Sequence, residues 1–127
     1  CEKAVACALN SAEIGIDIQD DVSDISGISS LVLCEKELEL LRLASHPNAL
    51  FSKLWSIKES YVKCLGTGIS DNLRELDFSD LPSRGEKYNL QFYTQSAKGL
   101  HLSVSPVLEK VDVIRLSLKS FLQLLNA

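Results

Sequence analysis

Four residues combine a reactive type with a spacing that could bring them together. Asp17 sits within Ile14-Gly15-Ile16-Asp17-Ile18, although aspartate is poorly suited to a strand interior. Gly15, two residues earlier, lets a second backbone or a ligand come close to the same strand. Further on, Lys58, Glu59 and Lys63 fall within one helical stretch. At about 100° per residue, Phe51, Leu54, Trp55, Val62 and Leu65 share one stripe of that helix. Lys58 lies near the middle of the stripe, Glu59 on its edge, and Lys63 one turn beyond Glu59. A lysine amid an apolar face costs free energy unless its ammonium is paired or reaches a polar cavity. Spacing alone is also met by a snorkelling Lys58, a surface Glu59–Lys63 pair and a solvent-facing strand end at Asp17. Taken together, a carboxylate on a strand and another on a helix suit a hard cation held through oxygen. Mg²⁺ binds in this way when substrate phosphates complete its shell.

Other chemistries lack their residues. Asp17, Gln19 and Asp21 imitate the start of a calcium loop, but Val22 stands where that loop needs glycine. His46 and His101 have no neighbours at zinc spacing and read as surface or loop histidines. No G-x-S-x-G elbow is present. Cys1, Cys7, Cys34 and Cys64 form no C-x-x-C pair, and read as reduced apolar fillers rather than disulfides. Gly66-Thr67-Gly68 could offer backbone N–H groups to phosphate, yet a helix C-cap already accounts for Gly66.

The elements that must position these residues are legible in outline. Residues 3–9 and Glu13–Gln19 look like a β-hairpin turning at Asn10-Ser11. Ile14, Ile16 and Ile18 point one way, and Gly15, Asp17 and Gln19 the other. Residues 20–30 read as loop. Glu35–Ala44 reads as a helix, with Cys34 where a Ser or Thr cap is usual. Asn48–Leu65 is a longer helix closed by Gly66. Strands are expected at Leu73–Phe78, Tyr88–Thr94, Leu100–Ser105 and Val111–Leu116, and a last helical turn or two at Ser120–Leu125. Pro47, Pro82 and Pro106 mark breaks in the apolar pattern. Strands, then helices, then strands predict an α+β domain: an antiparallel sheet packed against two helices.

The 127 residues fit a single domain, 1–127, with a modest core. With 46 % apolar and 24 % charged residues, the composition is that of an ordinary soluble globular domain. The net charge of −4 argues against nucleic-acid binding, which needs clustered Lys and Arg. No run reaches the roughly 18–20 apolar residues of a membrane helix, and no signal peptide opens the chain. The chain is read as cytoplasmic. It begins at Cys1 rather than methionine, so part of a longer protein is expected to be missing.

Two stretches resemble the 4'-phosphopantetheinyl transferases, in particular those that activate surfactin synthetase and similar peptide synthetases. Gly15-Ile16-Asp17 matches the family's G-I/V-D. Trp55-Ser56-Ile57-Lys58-Glu59-Ser60-Tyr61-Val62-Lys63, followed by Gly66-Thr67-Gly68-Ile69, matches its W-x-x-K-E-S/A-x-x-K and glycine-containing turn. Order and separation both agree. More loosely, the likeness runs over the whole chain, which resembles the second, C-terminal half of such an enzyme. That implies one half of a pseudo-twofold fold with the active site in the seam, most cations for coenzyme A lying in the other half. The small holo-acyl-carrier-protein synthases are the right length but prefer K-E-A and fit less well.

The resemblance implies a chemistry: 4'-phosphopantetheine moves from coenzyme A to a serine of an apo acyl or peptidyl carrier protein, releasing 3',5'-ADP. On this reading Mg²⁺ sits on Asp17 and Glu59, and Glu59 or a water beside it is the general base. Lys63 reaches the phosphates, and Lys58 holds Glu59 or the seam in place. Gln19 departs from the frequent G-I-D-I-E: an amide oxygen can ligate Mg²⁺, directly or through water, but adds no charge. The partners implied are the carrier protein, coenzyme A, and the enzyme's first half or a self-paired copy. A chain cut free of that half is expected to expose the Phe51/Trp55/Val62 stripe or residues 4–9. The competing reading is a degenerate half that docks a carrier protein or subunit without turnover.

Overall fold

The periodicity seen at 48–65 does build the central element of the computed structural model, which describes residues 12–68, 72–107 and 111–125. In order the elements are β1 (Gly15–Asp20), α1 (Ser29–Val32), α2 (Glu35–Leu43) and α3 (Pro47–Leu65), then a 3-10 turn at Leu73–Glu75. After these come β2 (Arg84–Lys87), β3 (Leu90–Ala97), β4 (Leu100–Ser105) and α4 (Leu118–Leu125). Pro47 takes the first turn of α3, where its missing N–H costs nothing, and Gly66 ends the helix in the left-handed conformation at φ 66°.

The four strands form one antiparallel sheet in the order β1-β4-β3-β2. This is the α+β arrangement that the order of elements predicts. Two tight turns connect its hairpins. Tyr88 and Asn89 (φ 52° and 61°) join β2 to β3, and Lys98 and Gly99 (φ 53° and 71°) join β3 to β4. Paired positive φ values match the right-handed twist of a two-residue hairpin.

α3 lies against the face of the sheet that carries Gly15, Asp17 and Gln19, whose register partners are Ser105, Ser103 and His101. The contact is unusually thin. Ser52, Ser56, Ser60 and Cys64, each four residues apart, are all buried on α3. Ser103 and Ser105 are buried opposite them. Small side chains let the helix backbone sit close, as it does at Gly15. A Cβ there would collide with the Ser60 carbonyl oxygen. Hydroxyls pin the two layers: Val22 N–H donates to Ser52 Oγ (2.9 Å), and Ser56 Oγ meets Ser103 Oγ (2.7 Å).

The apolar core lies on the other flank of α3. Phe51, Leu54, Ile57 and Val62 pack there with Val32, Leu33, Leu41, Leu73, Phe78 and Phe92. Aromatic edges lock it: Phe78 and Phe92 meet at 5.3 Å between centroids, and Phe51 and Trp55 at 5.2 Å.

Several expectations need correction. Leu73–Phe78 is a 3-10 turn followed by extended coil, and 111–116 is irregular. Both stretches have β-compatible residues, but neither pairs with the sheet. Tyr88 and Asn89 form a turn rather than starting the strand, and β2 and α1 had no clear signal. The expected exposed stripe is largely covered within the chain: Phe51 and Val62 are buried and Trp55 is half-buried. The expected strand at 3–9 lies outside the described residues. No helix among the described residues is long and apolar enough to cross a membrane.

Candidate active site

β1 brings Asp17 to α3. Gly15 rests on Ser60 and Cys64, while Val22, beyond the other end of β1, bonds Ser52. Strand and helix therefore run in opposite directions, and Asp17 falls beside the turn that carries Glu59 and Ser60. Asp17 Oδ1 accepts a hydrogen bond from Lys63 Nζ at 2.7 Å. The Asp17 side chain is only 12 % exposed, against 48 % for Lys63. Asp17 Oδ2 is buried and has no hydrogen-bond partner among the described residues. A buried carboxylate oxygen without a donor is costly, and it is the ligand a hard cation takes.

Glu59 is half-buried on α3 and accepts a hydrogen bond from Trp55 Nε1, one turn earlier, at 3.4 Å. That long bond gives the carboxylate an orientation and leaves it free to bind elsewhere. Among the described residues no ion pair links Glu59 to Lys63; the lysine reaches across to the strand instead. Gln19 shares the helix-facing side of β1, with its amide nitrogen turned to Asp20 O (3.2 Å) and Asp20 Oδ1 (3.3 Å). Its carbonyl oxygen is the end that could meet a cation. Two carboxylates, one amide oxygen and a movable ammonium fit a Mg²⁺ that shares its shell with phosphate.

Lys58, expected to hold Glu59 or the seam in place, makes no bond to Glu59. It is wholly buried and points to the opposite side of α3. Its ammonium donates to the carbonyls of Val32 (2.9 Å), Leu73 (2.8 Å) and Leu76 (2.8 Å), and lies 2.6 Å from Glu37 Oε2. Glu37, equally buried, also accepts from Cys34 N–H and Phe78 N–H, both at 2.9 Å. This knot ties α1, α2, α3 and the 3-10 turn together. Nothing local marks Glu37 as its partner: it sits on a short helix 21 residues away in the chain.

Cys34, Glu37 and Asp77 lie close enough together to suggest a metal centre. Their chemistry does not fit one. Both Glu37 oxygens are taken, one of them by Lys58. Asp77 is engaged with Lys36 at 3.1 Å and with Ser79 N–H at 3.0 Å. Burial pushes the Cys34 thiol up, which keeps it protonated. Cys34 and Cys64 are free thiols, and burial raises Cys64 as well.

His101 is not the surface histidine that its isolation suggests. It is buried on β4, with Nε2 2.7 Å from Asp21 Oδ1 and Nδ1 2.8 Å from Ser96 Oγ. It closes the end of the β1–β4 pair. A shallow depression lined by Asp21 and residues 45–49 opens at the N-terminal end of α3, away from Glu59 and Lys63.

Comparison with known proteins bears on this arrangement. The L-aminoadipate-semialdehyde dehydrogenase-phosphopantetheinyl transferase of Saccharomyces cerevisiae is 38 % identical over 81 residues, covering 58 % of this chain and 29 % of that protein. The 4'-phosphopantetheinyl transferase HetI of Nostoc is 31 % identical over 86 residues, covering 64 % and 36 % respectively. The chain thus spans about a third of the length of these curated relatives. Among solved structures, holo-acyl-carrier-protein synthase (AcpS) from Neisseria meningitidis superposes with a TM-score of 0.55 at 16 % identity. That match covers 73 % of this chain and 94 % of the synthase, and shows a shared fold. The family model described as 4'-phosphopantetheinyl transferase superfamily matches residues 13–112, a span that holds β1, the whole of α3 and the sheet between them. The chain belongs to the 4'-phosphopantetheinyl transferase superfamily.

Proposed function

We propose that residues 1–127 are a single domain forming the second half of a phosphopantetheinyl transferase of the surfactin-synthetase-activating type. Its reaction moves 4'-phosphopantetheine from coenzyme A to a serine hydroxyl of an apo acyl or peptidyl carrier protein and releases 3',5'-ADP. The observation that carries this reading is the buried Asp17 Oδ2, without a partner among the described residues and set beside the helix turn that bears Glu59.

Asp17 and Glu59 would hold Mg²⁺, with Gln19 contributing an amide oxygen or a bridging water. When bound, the ion supplies charge neutralisation for the pyrophosphate and its leaving oxygen. Glu59 takes the proton of the carrier serine hydroxyl as that oxygen attacks the β-phosphorus of coenzyme A. Trp55 N–H restricts the rotation of Glu59, so that one oxygen faces the hydroxyl. Lys63 offers a point charge to the phosphates. Lys58 acts at a distance, by fixing α3 on the core. The first half of the enzyme, or a second copy, would provide the cations for the rest of coenzyme A.

The test is coenzyme A-dependent mass gain on an apo carrier protein, using the intact protein. Asp17→Asn and Glu59→Gln should each lower the rate by about 10²-fold or more. Near-normal rates in both would remove the site. A protein that binds apo carrier protein yet never modifies it would be the docking half.

A further inference from the structure

Lys63 stands in an unexpected place. Its spacing to Glu59 favours an i,i+4 pair, yet its ammonium crosses to the sheet and rests on Asp17 Oδ1 at 2.7 Å. Asp17 is mostly buried and needs a positive neighbour, whereas Lys63 is half in water on a flexible four-carbon stem. Resting on the proposed Mg²⁺ site, we propose that Lys63 is a tethered cation that balances the charge of Asp17 from Oδ1 and is exchanged for the metal when it binds Oδ2.

A dication on Asp17 Oδ2 competes with the ammonium on Oδ1 for the charge of one carboxylate. An ammonium within hydrogen-bond distance of Asp17 Oδ1 would lie within a few ångströms of a dication on the same group, where like charges repel strongly. Arrival of the divalent ion therefore frees Lys63. Its stem roots it on the last turns of α3, one turn past Glu59, so that the released ammonium stays near the phosphates that enter with the metal. The exchange has two consequences of opposite sign for one side chain. Lys63 weakens metal binding when no phosphate is present, and strengthens phosphate binding once metal is present. Metal and phosphate ligand are coupled through it, and the coupling is reciprocal. Before the metal arrives, the same contact keeps a carboxylate in the sheet-helix seam from standing uncompensated.

The experiment uses Mn²⁺ as a direct probe, by calorimetry and metal relaxation on the intact protein, in the wild type, Lys63→Gln, and Asp17→Asn. Lys63→Gln should bind Mn²⁺ alone roughly three- to tenfold more tightly, the scale of a partly buried ion pair removed from competition. It should also lose most of the gain in 3',5'-ADP affinity that metal confers on the wild type. Ammonium NMR should show a slowly exchanging Lys63 signal without metal that vanishes as Mg²⁺ is added. Mn²⁺ binding that Asp17→Asn abolishes but Lys63→Gln leaves unchanged would overturn the exchange and keep the metal site. So would a Lys63 signal that persists at saturating Mg²⁺. Mn²⁺ binding indifferent to Asp17→Asn would overturn both.

Discussion

The Lys58 ammonium lies 2.6 Å from Glu37 Oε2, with both side chains wholly shielded from solvent. Three carbonyls complete the lysine's contacts and two backbone N–H groups those of the glutamate. A lysine so placed holds helices and loops together, and its contribution to catalysis is indirect. Lys58→Met should therefore destabilise the protein by about 3–5 kcal/mol, since it strands Glu37 as a buried, unpaired charge. The midpoint of a urea titration measures this. Activity per folded molecule should stay near normal; a loss of turnover without a loss of stability would place Lys58 among the reacting groups.

Gly15→Ala should be among the most damaging changes of a single methyl group. The added Cβ meets the backbone carbonyl of Ser60, which cannot rotate away as a side chain would. Overpacking of this kind costs about 1–3 kcal/mol or more. Because the helix must lift at the level of Asp17, Mn²⁺ affinity should fall as well. Unfolding and metal titration on one sample would check both, and a variant as stable as the parent would mean that β1 and α3 lie further apart.

Gln19→Glu should tighten Mg²⁺ binding, because it adds a negative charge two residues from Asp17 on the same face of β1. The half-saturating Mg²⁺ concentration for activity should fall. An unchanged value would show that position 19 does not face the metal.

Acid should weaken the fold partly through Asp77. The Ser79 hydroxyl and N–H, and then Lys36, hold its carboxyl well below the usual carboxylate range. A depressed native pKa means that the folded state binds fewer protons than the unfolded one. The stabilisation is thus complete above the ordinary value of about 4 and is lost as pH falls below it, through the native pKa. Asp77→Asn should lower stability at pH 7 and flatten its decline between about pH 4 and pH 2, followed by denaturant titrations at each pH. An unaltered slope would move that acid sensitivity to other carboxylates.

Much of the site could be read from residue order because its parts are local. The ends of α3 follow from Pro47 and Gly66, and β4 from the alternation in Leu100–Ser105. The motif residues then fall on a strand and a helix that do meet. What stayed hidden depends on contacts between distant segments. Lys58 looked like part of the site because it adjoins Glu59, and only the fold reveals Glu37 beneath it. For Lys63, spacing offers only its helical neighbour Glu59, because nothing in spacing reports a strand alongside. The stretch at 73–78 carries Leu73, Leu76 and Phe78, apolar enough for a strand, yet a 3-10 turn is what buries Leu73 and Phe78 and gives the carbonyls of Leu73 and Leu76 to Lys58. The serines of α3 gave no signal at all, since periodicity searches follow large apolar residues.

Those serines bear on how finely the site is aligned. A seam of small side chains has no ridges and grooves to catch, so packing alone would let α3 slide or turn on β1 at little cost. Its axial indexing falls instead to a few polar pegs, chiefly Val22 N–H on Ser52 and Ser56 on Ser103. A slip of one residue would carry Glu59 about 1.5 Å along the axis and swing it through about 100°, away from Asp17. The gauge that sets the spacing of the two carboxylates is thus a pair of hydroxyl contacts, one of them on Ser103, the strand partner of Asp17.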